Sequence, residues 1–319
     1  MRAVVQHRYG GVEDLELTEL PTPLPAPDQL LVRVLATSLN LSDWEGLRGR
    51  PAYARIGGLR RPARPVPGSD IAGVVEAVGA DVTGFGPGDE VYADNLGLKG
   101  GFGELAVVPA QAAAPKPPGL TFVQASTIPQ AGPIALQGTA GAGQGTRILI
   151  NGAGGGSGAF AVQLAVAAGA EVTAVDNVTK LDFLRSLGAA KVIDHRTTDF
   201  AATGERYDLV LDLVAERSIP AVLRSLRAGG RYRAVGGPVS TLVPLAIGGL
   251  VARPFTDRRI GLLVVADGPE RFTPLAERVL AGDVDVHVDR TVGLAGVPEA
   301  MAAIGAGAAS GKIVVEPAT

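Results

Sequence analysis

The chain of 319 residues is long enough for two domains, and its 46% apolar and 19% charged residues are typical of a soluble globular protein. Its formal net charge of −3 gives no general attraction to phosphate backbones, which argues against a nucleic-acid partner. The lack of cysteine excludes disulfides, thiolate catalysis and cysteine-ligated metal sites.

The chain up to about residue 120 alternates short β-like runs with turn clusters such as Pro21–Pro27 and Gly84–Asp89. The pattern predicts an antiparallel, β-rich domain. The predicted strands are Ala3–Gln6, Gln29–Ala36, Ile71–Val78, Glu90–Ala93 and Glu104–Val108.

Strands and helices alternate in the following part of the chain, which predicts an α/β fold with a doubly wound parallel sheet of the Rossmann type. The predicted strands are Arg147–Asn151, Glu171–Asp176, Lys191–Asp194, Asp208–Leu213, Arg231–Val235 and Ile260–Ala266. The predicted helices are Ser157–Ala168, Thr179–Leu187 and Ser218–Leu226.

The remainder of the chain, with Pro274–Leu280 and short strands to Ile313–Val315, is expected to return to the β-rich style. We therefore predict one domain of residues 1–122 with a C-terminal return over 267–319, and a second domain of residues 123–266. The longest apolar stretch, Leu242–Ala252, is about half the ~20 residues that a membrane helix needs, and the N-terminus lacks a signal-peptide core. A cytoplasmic protein without a membrane partner is expected.

A glycine-rich segment follows the strand Arg147–Asn151 and opens a predicted helix. Glycines here let a phosphate approach the backbone amides and let the helix pack closely on the sheet. The helix N-terminus adds free N–H groups and a partial positive charge. This arrangement predicts a dinucleotide site that contains Gly152, Ala153, Gly155, Gly156, Ser157 and Gly158.

The choice between NADH and NADPH depends on the end of the second strand, where Asp176 stands eighteen residues after Gly158. An acid there accepts hydrogen bonds from the adenosine ribose and repels a 2′-phosphate, which favours NADH. Lys180 can pair with a 2′-phosphate or be a solvated helix residue, so NADPH stays possible. Asn177 belongs to the same predicted cofactor set.

Several motifs together resemble one family over essentially the whole chain. This sequence is similar to the zinc-free quinone oxidoreductase and enone reductase branch of the medium-chain dehydrogenase/reductase superfamily. That resemblance implies a GroES-like catalytic domain beside the Rossmann domain, and a homodimer paired through the strand Ile260–Ala266. The matching segments, besides the glycine-rich turn, are Asn40–Trp44, Gly58–Pro62, Pro67–Val75, Gly84–Val91, Phe183–Ala189, Val192–Asp194 and Gly311–Val314.

The resemblance also bears on metal binding. Zinc-dependent relatives have a histidine at the position of Ser69 and a cysteine near Asn40. This chain has no cysteine, and His7, His195 and His287 lack ligand spacing, so we predict that zinc is absent. Without a Lewis acid, a quinone or a conjugated carbonyl accepts hydride more readily than a simple ketone, because charge spreads onto an enolate or phenolate oxygen.

The resemblance places Asn40 and Asp43, in a loop after a strand, beside the nicotinamide and the substrate. Asn40 would donate to the developing oxyanion and Asp43 would fix the loop, although an Asx turn explains both residues as well. Tyr53 lies where related reductases have a proton donor or substrate clamp, with a packing role as the alternative. Ser69 would face the same pocket, or serve as a structural hydroxyl.

Further cofactor contacts are expected at the ends of later strands. Val235, Gly236 and Gly237 end a Rossmann strand, where backbone groups can meet the nicotinamide amide. His195 follows a strand at a position where relatives often have a tyrosine that lines the adenine pocket. A surface histidine is the alternative.

The loop after the Asn40–Asp43 motif is rich in arginine, which indicates either an anionic substrate tail or a solvated surface. The arginines are Arg48, Arg50, Arg55, Arg60, Arg61 and Arg64.

The leading prediction is a zinc-independent, NAD(P)H-dependent reductase of quinones or α,β-unsaturated carbonyls. One alternative is a specialised biosynthetic enoyl reductase that acts on an anionic or carrier-bound intermediate. Another is a non-catalytic protein that binds or senses the nucleotide.

Overall fold

A computed structural model of the protein describes residues 1–56, 58–252 and 256–319, and for residues 250–252 it describes the backbone alone. Within these residues, no helix combines the length and the apolarity that a membrane span requires. The chain divides into two compact units. The first consists of Met1–Gly132, Asp267–Ala281 and Val286–Thr319, and the second of Pro133–Ala266 and Gly282–Asp285.

The first unit is rich in β-structure. Its strands are β1 (Arg2–Gln6), β2 (Leu15–Glu19), β3 (Gln29–Ser38), β4 (Asp70–Val78), β5 (Glu90–Asp94), β6 (Leu105–Pro109), β7 (Ala113–Pro115), β14 (Val288–Val292) and β15 (Lys312–Val315). The main sheet has the order β14-β15-β3-β4-β5-β7, and β6 also pairs with β3. Its β3, β4, β5 and β6 pairings are antiparallel, as the alternation of strands and turns predicts.

The helices of the first unit are α1 (Leu41–Arg48), α2 (Phe122–Ser126), α8 (Pro269–Leu280) and α9 (Val297–Gly305), and α3 (Ala131–Thr139) starts at its end. Helix α9 packs in a core with α1 and β15, where Leu47, Met301 and Ile313 are buried. In α8, Phe272 and Leu275 are buried three residues apart, which is the spacing of one helix face.

The second unit contains a six-stranded sheet in which every neighbouring pair is parallel. Its strands are β8 (Arg147–Asn151), β9 (Glu171–Asp176), β10 (Lys191–Asp194), β11 (Tyr207–Asp212), β12 (Leu226–Ala234) and β13 (Arg259–Leu262). The order β10-β9-β8-β11-β12-β13 reverses between β8 and β11. This order is that of the Rossmann fold, so the predicted doubly wound sheet is confirmed.

The helices of the second unit are α4 (Gly156–Ala167), α5 (Leu181–Ser186), α6 (Ile219–Arg224) and α7 (Val239–Ala252). Helix α4 is buried nearly all round, since its small residues let it lie close to the sheet. Gln163 is the polar exception, and its amide exchanges hydrogen bonds of 2.8 and 3.0 Å with the backbone of Asp285.

Three local predictions are wrong. The segment Pro274–Leu280 belongs to helix α8, because its apolar residues have helical and not alternating spacing. Asn40–Asp43 is not a loop, since helix α1 begins at Leu41. The predicted strand Ile260–Ala266 ends at Leu262, and the backbone N–H of Ala266 donates to the side chain of Gln137 instead.

Candidate functional site

The glycine-rich turn connects β8 to α4 at the point where the order of the parallel strands reverses. Gly152 has a φ of +80°, which a side chain would strain, and its N–H donates to the carbonyl oxygen of Val175 on β9. Ala153 is fully buried and donates to the same oxygen. Gly155 precedes the first helical residue, Gly156, so the free N–H groups of α4 face the end of the sheet.

Two glycines of this turn differ in the space around them. A Cβ on Gly158 would strike the carbonyl oxygen of Gly152 and come within 2.7 Å of the backbone of Ala153. The helix therefore contacts the turn backbone directly at this residue. A Cβ on Gly155 would meet nothing closer than the Gly152 oxygen at 3.7 Å, so the folded protein leaves room there.

Asp176, at the end of β9, holds the turn from its other side. One carboxylate oxygen accepts the N–H of Gly154 at 2.8 Å, and the other accepts the N–H of Asn177 at 2.8 Å. The ammonium of Lys180 lies 3.6 Å from the second oxygen and is 3% exposed. Asn177 in turn caps the following helical turn by accepting the N–H of Thr179. These cofactor candidates therefore lie together beside the turn, and a buried cation offsets the charge of Asp176.

A buried carboxylate that the sequence prediction missed organises the opposite side of the strand reversal. Asp212, at the end of β11, accepts hydrogen bonds from the side chain of Asn151 (2.8 Å) and the hydroxyl of Tyr232 (2.6 Å). It also accepts the N–H groups of Val214 and Ala215, the latter at a strained φ of +50°. A polar residue at the end of each of two neighbouring apolar strands was the available signal.

The predicted segment Val235–Gly237 follows β12 beside this carboxylate. The N–H of Val235 donates to the carbonyl oxygen of Asp212, and both Gly236 and Gly237 have positive φ, at +71° and +116°. A Cβ on Gly237 would lie 2.8 Å from the carbonyl oxygen of Val214. The segment therefore requires glycine to turn away from the sheet.

His195 follows β10 and is exposed, and its backbone N–H donates to the carbonyl oxygen of Asp176. This backbone hydrogen bond places His195 next to Asp176, one of the predicted cofactor residues. A role of its ring toward an adenine stays a prediction.

In the first unit, Asn40 and Asp43 form the start of α1. The backbone N–H of Asn40 donates to Asp43 Oδ2 at 2.9 Å, which satisfies a donor at the helix start. The other oxygen of Asp43 has no hydrogen-bond partner among the described residues, and the nearest cation, Lys99 Nζ, is 3.9 Å away. Asp43 therefore contacts the backbone at the start of α1, and its predicted role in fixing the substrate loop stays a prediction.

A buried ion pair that the sequence prediction missed fixes the side chain of Asn40. Lys312 Nζ donates to Asn40 Oδ1 at 2.6 Å and lies 3.2 Å from Asp70 Oδ2. Asn40 Nδ2 donates to the same Asp70 oxygen at 2.9 Å, and Ser38 donates to it at 2.7 Å. Asp70 and Lys312 are 0% and 3% exposed. A charged residue at the start of each of two apolar strands was the only signal for this pair.

Ser69 lies within this cluster and is fully buried. Its hydroxyl oxygen accepts from the side-chain amides of Gln130 at 3.3 Å and Asn40 at 3.5 Å. Gln130 is itself held by Ser42, which donates to its amide oxygen at 2.7 Å. The complete burial of Ser69 favours the structural interpretation of its hydroxyl, whereas Asn40 is 8% exposed.

Acidic residues are concentrated around the cluster, and burial raises the pKa of two of them. Burial raises the pKa of the Asp43 carboxyl. Burial, with the negative charge of Asp70 as the next cause, raises the pKa of Asp94 to about 7 from 3.8. Asp94 lies opposite Asp70 in the β4–β5 pairing, and its Oδ1 accepts the N–H of Leu96 at 3.1 Å.

The raised pKa of Asp94 predicts a pH effect on stability. The folded state binds this proton more tightly than the unfolded state between about pH 4 and pH 7, so the free energy of unfolding falls as the pH rises through that window. Asp94→Asn stays neutral and keeps the oxygen that accepts from Leu96. We expect the variant to become more stable than the wild type by about 2 to 4 kcal/mol above pH 7 and to match it near pH 4. Urea unfolding measured at several pH values checks this, and parallel pH profiles would contradict it.

Tyr53 lies in a short helical turn after α1, where its hydroxyl donates to Glu45 Oε1 at 3.0 Å. Burial raises the pKa of Glu45. The contact connects Tyr53 to α1 through Glu45. Its role as a proton donor stays a prediction.

The residues around Asn40 do not fit a zinc ion. The ammonium of Lys312 already occupies the cationic position between the oxygens of Asn40 and Asp70. Among the residues that the structure describes, no three His, Asp or Glu side chains form a group suited to a metal. The cluster instead offers amide and hydroxyl groups.

Two family models match the chain. A model described as the alcohol dehydrogenase GroES-like domain matches residues 26–118, which confirms the GroES-like part of the predicted fold class. A model described as a zinc-binding dehydrogenase matches residues 187–315.

Individual relatives match over three quarters of the chain or more. The sequence is 33% identical to the chloroplastic quinone-oxidoreductase of Triphysaria versicolor, over 99% of this chain and 98% of that protein. It is also 33% identical to a chloroplastic NADPH-dependent alkenal/one oxidoreductase of Arabidopsis thaliana, over 75% of this chain and 64% of that protein. The solved structure of a quinone oxidoreductase from Coxiella burnetii has a TM-score of 0.87 and 28% identity, with 99% of both chains covered.

Proposed function

Because the chain belongs to the quinone oxidoreductase branch of the medium-chain dehydrogenase/reductase family, we propose that it reduces quinones or α,β-unsaturated carbonyls with a nicotinamide nucleotide and without zinc. The observation that carries the proposal is the Lys312–Asn40–Asp70 cluster. This cluster contains a polarised amide donor, and the family resemblance implies that zinc-dependent relatives have a ligating cysteine near the same position.

The bound nicotinamide supplies the hydride, and the glycine-rich turn fits its dinucleotide because Gly155 leaves open space beside the free N–H groups of α4. Asn40 then stabilises the negative charge that develops on the substrate oxygen. Its Oδ1 accepts from Lys312, and one N–H serves Asp70. Among the described residues, the other N–H makes only the long contact of 3.5 Å with the Ser69 hydroxyl, and we assign it as the donor that turns to an enolate or phenolate oxygen. The ammonium on Oδ1 polarises the amide and strengthens that donor.

Protonation completes the reduction of an enone. Tyr53 remains the proposed side-chain donor, and it must give up its hydrogen bond to Glu45 to serve. Water is the alternative source. Tyr53→Phe distinguishes the two routes, because kcat should fall if the phenol is the donor and stay unchanged if water is.

The first experiment is a substrate screen with both nucleotides. Turnover is measured as the loss of the near-ultraviolet absorbance of the reduced nicotinamide. The wild type is expected to turn over at least one enone or quinone, and Asn40→Ala to lower kcat/KM about 100-fold, the effect of removing one oxyanion donor. The Kd for the nucleotide serves as the control and should stay within a factor of about 2. Tight nucleotide binding with no turnover across the screen would contradict the proposal and favour a non-catalytic role.

We propose that Asp176 restricts NADPH and that Lys180 moderates the restriction. The carboxylate repels a 2′-phosphate, whereas the buried ammonium 3.6 Å away offsets part of its charge. Asp176→Asn is expected to raise the ratio of NADPH affinity to NADH affinity about 10-fold, and Lys180→Met to lower it. Fluorescence titration with both nucleotides measures the ratio. Equal changes in both affinities would contradict the assignment.

We propose a homodimer paired through β13, the last strand of the parallel sheet. Support comes from the position of β13 at the end of the strand order and from two exposed apolar residues, Leu262 at its end (38%) and Val264 just after it (87%). We also propose a cytoplasmic location. Two of the matched relatives, by contrast, are named chloroplastic.

A further inference from the structure

A cavity of about 460 Å³ lies in the first unit. It is bounded by the end of β1, with Gln6 and His7, and by the loop after α1, with Leu59, Arg60 and Arg61. None of the nine residues that line it is acidic. Its volume falls within the range of small-molecule sites.

The loop that forms one wall is anchored at its start. The hydroxyl of Tyr9 donates to the carbonyl oxygen of Gly58. The guanidinium of Arg55 stacks 4.7 Å from the centre of the Tyr9 ring and donates to the carbonyl oxygens of Gly49 at 2.9 Å and Leu59 at 3.2 Å. The guanidinium of Arg55 therefore stabilises the loop that forms the wall.

The same loop is compact and anchored at its end. A Cβ on Gly58 would strike the carbonyl oxygen of Arg61, so the loop folds directly back on itself. The N–H of Gln6 donates to the carbonyl oxygen of Pro65 at 2.7 Å, and its side-chain amide donates to that of Leu47 in α1 at 2.8 Å. The loop is therefore held in a fixed position, and it connects β1 to helix α1, which begins directly after Asn40.

Two charges on this wall are available to a ligand. Arg60 and Arg61 are exposed, and within the described part of the chain neither has an ion pair or a side-chain hydrogen bond. Arg48, by contrast, stacks over Trp44 at 5.2 Å. Leu59, which also lines the cavity, is 79% exposed. A cavity lined by two guanidinium groups and by apolar surface suits an anion on an alkyl chain.

The cavity is within reach of the Asn40 cluster. Pro65, which lines it, is four residues before Ser69, and four residues of chain span at most about 14 Å. A flexible substrate of modest length can bridge that distance. We propose that the cavity binds the carboxylate or phosphate end of an elongated α,β-unsaturated carbonyl, whose reacting end is bound at Asn40. The inference rests on the proposed function and specifies its substrate class.

A matched substrate pair tests the inference. A vinyl ketone with a terminal carboxylate on a flexible alkyl chain is compared with its methyl ester, which differs only in charge. In the wild type the acid is expected to have the higher kcat/KM, and Arg60→Gln with Arg61→Gln to lower the acid-to-ester ratio about 10-fold. The advantage of the acid is also expected to shrink as ionic strength rises. Arg64→Gln is the control, because this exposed arginine belongs to the same loop but does not line the cavity.

A binding measurement separates failure of the inference from failure of the proposed function. Calorimetry with the saturated analogue of the acid, which cannot accept hydride, reports binding whether or not the enzyme turns over enones. We expect its Kd to rise about 10-fold in the double variant and to stay unchanged in Arg64→Gln. Equal use of acid and ester, or a Kd that the double variant leaves unchanged, would overturn the inference. A phosphonate analogue that binds more tightly than the carboxylate would identify phosphate as the natural end group.

Discussion

Gly158→Ala is expected to weaken the binding of the nicotinamide nucleotide by more than about 100-fold. The added Cβ would strike the carbonyl oxygen of Gly152 and lie 2.7 Å from the backbone of Ala153. Because both contacts are with backbone, no side chain can rotate away, and α4 must shift from the turn that it completes. The N–H groups at the helix start then no longer point at one position. Equilibrium titration with NADPH and NADH measures the loss.

Gly155→Ala is the matched control, because it adds the same methyl group three residues earlier. Its φ of −83° suits alanine, and the new Cβ would find only the Gly152 oxygen, at 3.7 Å. The variant should therefore unfold at the same urea concentration as the wild type. If the phosphates approach the backbone at Gly155, its nucleotide affinity should still fall, by about 10-fold. Undiminished binding in Gly155→Ala would place the phosphates elsewhere on the turn, and undiminished binding in Gly158→Ala would contradict the site.

The strands around the candidate cofactor site were predictable because their signals are local. The strands β8, β9 and β10 were predicted to the residue, since each is a short apolar run that ends at a polar residue. Parallel order then brings the ends of these strands to one edge of the sheet. The residues of the turn and Asp176 follow from that geometry without further information.

The Asn40 cluster was only partly predictable, because its contacts join distant parts of the chain. Asp70 and Lys312 are 242 residues apart in sequence, and nothing local indicates that they meet. The helical start at Asn40 was missed since α1 is short and has only two buried residues, Asp43 and Leu47. Helix α8 was missed in part because Pro274 lies inside it.

Lys312→Met is expected to lower the free energy of unfolding by about 3 to 5 kcal/mol, the cost of leaving a buried charge without its partner. Asp70 would keep its hydrogen bonds from Ser38 and from the N–H of Gln130, at 2.7 and 2.9 Å, but would lose the ammonium 3.2 Å away. Asp70→Asn should be similarly costly, because it removes the negative charge that pairs with the buried ammonium of Lys312 and leaves one amide oxygen in place of two carboxylate acceptors.

Combining Asp70→Asn with Lys312→Met removes both charges and should cost less than the sum of the single changes, by about 1 to 3 kcal/mol. Urea unfolding of the four proteins measures this coupling, and strictly additive losses would show that the pair does not interact.

Kinetic measurements then distinguish a role of Lys312 in positioning the Asn40 amide from a role in stability alone. Without the ammonium on Oδ1, the Asn40 amide is no longer held in one orientation, so kcat should fall in Lys312→Met while the nucleotide Kd is unchanged. Lys312→Arg restores a donor at that position and should recover part of kcat, whereas a purely structural pair would change stability and leave kcat as it is.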